Sequence, residues 1–134
     1  MTVWTDLPNA KHIDRIIADM KKNPYQWNTA RDAAWTVAIG AARNAACGEA
    51  WTDAREDLWN AACGEAWTEA RDAGWTEAWD AAFYVAFAAI EALIAYDDCA
   101  YLLDEKPEHV LLLGLLGNHA ATLLYPACMA LQHK

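Results

Sequence analysis

At 134 residues, with 10 Lys and Arg against 19 Asp and Glu, the chain has the length of one domain and a net charge of −9. A domain of this size can bury a working core, which falls to the large side chains, eight Trp among them, because much of the 56% apolar share is alanine. The acidic excess sits in residues 44–91, which carry −8, and it argues against direct nucleic-acid binding, because phosphate backbones require a basic patch.

The start, MTVWTDLPNAKHID, lacks the continuous apolar run of a signal peptide, so the protein is expected to stay in the cytosol that makes it. The first helix follows. Asp6 is placed to cap it and Pro8 to sit in its first turn, while Ile13, Ile16, Ile17 and Met20 fall at helical spacing on one stripe. Asn23-Pro24 ends that helix. Thr29 followed by Asp32 resembles a capping box, which places the start of a second helix near Asn28.

From Ala30 to Phe87 the chain repeats every four residues: alanine recurs at each step, interrupted only by Leu58 and Gly74, and is followed each time by a larger residue. Within this region NAACGEAWTDAREDLW at 44–59 is echoed at once by NAACGEAWTEARDAGW at 60–75, which puts Trp51, Trp59, Trp67 and Trp75 eight residues apart. No proline intervenes between Pro24 and Pro107, and Ala, Glu and Arg favour helix. A four-residue step advances about 400° around a helix, so each residue class drifts by about 40° per unit. One straight helix is therefore a poor solution. Several helices are expected instead, with breaks near Gly40, Gly48, Gly64 or Gly74.

Beyond the repeat, AFAAIEALIAYDDCAYLL continues the helical pattern with larger aliphatics. Pro107 opens a further helix, Gly117 closes it, and Asn118 caps a last one that is kinked or interrupted at Pro126. Residues 110–131 carry no formal charge, long enough to span a bilayer, but the central Gly-Asn-His and Pro126 favour a buried helical hairpin over a membrane span. The expected fold is all-α: one domain, 1–134, in which an N-terminal helix (1–27) precedes alanine-rich tetrad-repeat helices (28–91) and an apolar C-terminal hairpin (92–134). Close-packing alanine rows bury little area each, so a homo-oligomer, most simply a dimer, is expected to complete the core.

The candidate binding residues are Trp51, Arg55, Trp59, Trp67, Arg71 and Trp75, because four-residue spacing puts each Arg between two indoles. Such ladders can simply pack helix on helix. Left accessible, they would form a Trp/Arg recognition surface in an acidic surround suited to a basic protein partner. They could also hold a small nucleotide by stacking and phosphate pairing, and a third reading is an acidic DNA mimic. Cys47, Cys63, Cys99 and Cys128 show no metal spacing and read as free thiols. Asp97, Asp98, Asp104, Glu105, Glu108 and His109 read as helix-end charges, and His12 and His119 as structural. Without a phosphate loop, nucleophile elbow or HExxH, neither catalysis nor a metal or cofactor is expected.

Alanine tetrads studded with Trp, Arg and Asp, then ALIAYDDCAYLL and LLGNHAATLLYPACMAL, with DLPNAKHIDRIIADMKKNP at the start, resemble a group of small proteins of tailed bacteriophages and prophages. The resemblance implies a phage accessory protein acting in the bacterial host cytosol, in a class whose small acidic members often bind and block host or defence proteins.

Overall fold

A computed structural model describes residues 4–34, 39–49, 52–72 and 77–132, and these residues form an all-α bundle. Its helices are α1 (Ala10–Lys22), α2 (Pro24–Ala34), α3 (Ile39–Glu49), α4 (Asp53–Asp72), α5 (Glu77–Ala95), α6 (Pro107–Leu115) and α7 (His119–Gln132), with a 3-10 segment at Ala100–Asp104.

The apolar stripe of α1 is buried as its spacing requires: Ile13, Ile16, Ile17 and Met20 all face the core. The cap differs from expectation. Asn9, not Asp6, directly precedes the helix, and its side chain does not cap it. Asn9 Nδ2 donates instead to the carbonyls of Leu93 at 2.9 Å and Tyr96 at 3.0 Å. A buried amide thus ties the start of α1 to the end of α5, satisfying acceptors that a helix C-terminus leaves open.

The start of α2 also lies earlier than the capping-box reading placed it. Pro24 opens the helix, where its missing N–H costs nothing. Thr29 is therefore inside it, its hydroxyl donating back to Tyr25 O at 2.9 Å. Trp27 is fully buried, and its Nε1 donates to Asp19 Oδ1 at 2.9 Å, which locks the α1–α2 corner.

Within the repeat, Gly40 and Gly48 both lie inside α3, and residues 35–38 and 50–51 on either side of it lie outside the described residues. The helix α4 runs straight through Gly64, contrary to the break considered there. A single interior glycine costs only about 1 kcal/mol, and the Ala, Glu and Arg around it outweigh that. Gly74 lies outside the described residues.

The centre of the molecule is α7, which packs against α2, α3, α5 and α6. Leu123, Leu124, Ala127, Cys128 and Ala130 are fully enclosed, and burying each leucine contributes roughly 2 kcal/mol. The helix continues without interruption through Pro126. Proline inside a helix removes a ladder hydrogen bond at a cost of about 3 kcal/mol, and enclosure by four neighbours offsets it. The hairpin with α6 turns as its residues dictate: Gly117 takes φ +102°, and Asn118 Oδ1 accepts the Ala121 N–H at 3.0 Å. Gln132 Nε2 donates to Leu103 O and Glu105 O, at 3.0 and 2.7 Å, fixing the 3-10 segment to α7. Among the described residues no helix is long and apolar enough to cross a membrane.

Candidate interaction surface

Two of the six predicted binding residues can be placed in full. Arg55 and Trp59 sit on α4 in the seam with α5. Arg55 Nη1 donates to Ile94 O and approaches Asp97 Oδ1 at 3.7 Å, so the guanidinium serves the C-terminal end of α5, where cations are favoured. Trp59 is half-buried and directs Nε1 toward Phe87 O at 3.5 Å, beside the stacked rings of Phe83 and Phe87. Trp51 and Trp75 lie outside the described residues, as do the side chains of Trp67 and Arg71.

The guanidinium over the Trp59 ring comes from outside the predicted set. Arg43 on α3 places its central carbon 5.7 Å from the indole centroid, and its Nε donates to Glu91 Oε2 at 2.9 Å. Glu91 is only 3% exposed, and burial raises its pKa while the charge and hydrogen bond of Arg43 pull it back. Arg43 therefore joins α3, α4 and α5 at one point. The sequence signal was available: Glu91 is a lone charge in the apolar run AFAAIEALIA, and a buried carboxylate demands a cation.

The three thiols whose surroundings are described are free and electrostatically quiet. Burial pushes Cys63 and Cys99 up to about 12 and Cys128 to about 11, so none carries appreciable thiolate at neutral pH. The C-terminal acids are spread among separate partners: Asp104 pairs with both terminal nitrogens of Arg15 at 2.9 and 3.2 Å, and Glu105 Oε2 lies 3.4 Å from His109 Nδ1. No three His, Cys, Asp or Glu converge among the described residues.

Among the described residues, α6 carries a cluster of leucines that breaks the pattern of burial. Val110 faces the core, and Gly114 rests directly on Thr122 of α7, but Leu112, Leu115 and Leu116 are 51%, 70% and 75% exposed. Their spacing of three and four residues puts them on one face. Exposed Glu108 lies one turn before Leu112, so an acidic group borders the apolar face at its N-terminal end. Sequence reasoning missed this face because the helix is apolar on nearly every side and offers no contrast to read.

Just past Leu116 the chain turns at Gly117 into a cleft of about 340 Å³ between the 3-10 segment and the start of α7. Buried Cys99, Leu102 and Ala120 line it together with Tyr96, more exposed Tyr101 and exposed Asp98. Asn118 and His119 complete it from the α7 side. Comparison with known proteins returns no match to any protein family, curated protein or solved structure.

Proposed function

We propose that the chain is a non-enzymatic phage accessory protein that binds, and by binding inhibits, a host or defence protein in the bacterial cytosol. The observation that carries the binding reading is the exposed leucine face of α6, in a bundle that encloses leucines as completely as Leu123 and Leu124. A clustered apolar face left in water is the ordinary mark of a surface that another protein covers. The phage setting rests on the resemblance in the tetrads and in the C-terminal segments.

The charge around the face favours a basic partner. Glu108 borders it at one end and Asp98 lies beyond the other, within a chain of net charge −9. A second copy of the chain is a poorer occupant, because pairing the face with itself would set these acidic margins against one another.

The test is capture from bacterial lysate by the wild-type chain and by the triple variant Leu112→Gln, Leu115→Gln, Leu116→Gln, followed by titration of the identified partner with both. Exposed substitutions of this kind change stability by about 0.5 kcal/mol or less each, so the variant should keep its helical content. Expected is a basic protein bound by the wild type and lost by the variant. Equal capture by both, or no specific capture by either, refutes the proposal.

A further inference from the structure

We infer that the cleft between the 3-10 segment and the start of α7 receives an arginine side chain, presented by the partner that covers the neighbouring leucine face. The inference rests on the reading of that face as protein-binding, and it adds a chemical identity to what the partner must offer.

The cleft is built for a long side chain with a cationic end. Three of its lining residues, Cys99, Leu102 and Ala120, are apolar and each less than a tenth exposed, and such residues suit an aliphatic stem. Tyr96 and Tyr101 are among the residues that line it, and tyrosine rings attract a guanidinium laid over their faces. Exposed Asp98 supplies the carboxylate.

The charge of Asp98 is the deciding feature. Its neighbour Asp97 lies 3.7 Å from Arg55, whereas Asp98 has no salt bridge among the described residues and no Lys or Arg lines the cleft. An aromatic cleft with an uncompensated carboxylate selects a cation. Arginine fits better than lysine, since its flat fork both stacks on tyrosine and meets a carboxylate through two nitrogens. The N-terminal end of α7 works in the other direction, with partial positive charge, and Asn118 Oδ1 offsets part of it by accepting the Ala121 N–H. Because Gly117 directly follows Leu116 and lines the cleft, one partner segment can cover the leucines and place its arginine here.

The test uses the full chain, labelled for two-dimensional NMR, titrated separately with N-acetyl-arginine methylamide, N-acetyl-glutamate and inorganic phosphate. Expected is saturable movement of the amides of Asp98, Tyr101, Gly117 and His119 with the arginine probe only. Asp98→Asn should weaken binding by up to about fivefold, and Tyr101→Ala by about two- to fivefold. Both side chains are exposed, so both variants should fold, which their spectra report directly. Leu115→Gln should leave binding of the small probe unchanged. Tighter binding of glutamate or phosphate, absence of saturable shifts with arginine, or an unaltered affinity in Asp98→Asn overturns the inference. The two readings fail separately: a cleft that ignores arginine while the leucine variant still loses its partner removes the arginine site alone. A cleft that binds arginine while capture is indifferent to the leucines keeps the cation site and removes the protein-binding reading.

Discussion

Replacing Arg43 by Met should destabilise the protein by about 2 to 3 kcal/mol at neutral pH, and the loss should shrink as the pH falls toward 5. Methionine keeps most of the packing of the stem and removes only the charge. What disappears is the bond from Nε to Glu91 Oε2 at 2.9 Å and the cation over Trp59. A hydrogen bond to a charged group contributes about 1.5 to 3 kcal/mol, and a partly exposed cation–π contact about 0.5 to 1 kcal/mol. The Arg43 side chain is 39% exposed, so water screens the pair and the lower half of the summed range is appropriate.

The pH dependence follows from Glu91. Burial already holds its folded pKa above the ordinary 4.5, with Arg43 opposing the rise. Between the unfolded and the folded value the native state binds more protons than the unfolded one, so stability falls as pH rises through that window. Without Arg43 the folded value climbs further and the window widens upward, so the penalty is largest at neutral pH and relieved by protonation in acid. Urea unfolding followed by tryptophan fluorescence at pH 5 and pH 7 measures this directly. Adding Glu91→Gln to Arg43→Met should recover more than half of the loss at pH 7, since an amide needs no counter-charge. A single-variant loss that is the same at both pH values, or a double variant no better than the single, refutes the account of Glu91 as a buried charge held by Arg43.

Gly114→Ala should cost about 1 to 2 kcal/mol despite alanine's better helix propensity, because its Cβ would stand 2.7 Å from Thr122 Oγ1 and 3.3 Å from the Thr122 backbone. Thermal melting checks it, and Thr122→Ala in the same chain should restore only part of the loss, since the backbone contact persists. Asn9→Ala should cost about 1 to 2 kcal/mol by removing the buried donor of the Leu93 carbonyl, while the Tyr96 carbonyl keeps the Cys99 thiol, and faster amide exchange at the end of α5 should accompany it.

Local punctuation was legible in the sequence, whereas the environment of each face was not. Pro107, Gly117 and Asn118 delimit α6 and α7 as their chemistry dictates, since a missing N–H, a positive φ and a side-chain acceptor act within one turn. The stripe of α1 was equally plain. Errors came where a residue competent for a local role served a distant one: the Asn9 amide reaches 84 residues along the chain to Leu93, and Thr29 became an interior helix residue once Pro24 had opened α2. Gly64 stayed helical because one glycine is a weak breaker among strong formers. In the candidate surface, Arg55 and Trp59 were singled out by their spacing along one helix, but Arg43, sixteen residues before Trp59 and on another helix, could be joined to it only by the fold. The leucine face of α6 was illegible for a different reason. Leu111 to Leu113, Leu115 and Leu116 are alike in chemistry, and only packing decides which of them meets water.

The position of α7 has a consequence for synthesis. A ribosome delivers α2, α3 and α5 before the helix they surround, and translation at about 5 to 20 residues per second leaves these segments waiting. Through that interval Trp27, Ile90, Leu93 and Ile94, all fully enclosed in the finished bundle, have no central helix to pack against. The acidic charge of 44–91 opposes association of nascent copies while these side chains wait. The composition of the repeat therefore suits a chain that must stay in solution until its centre arrives.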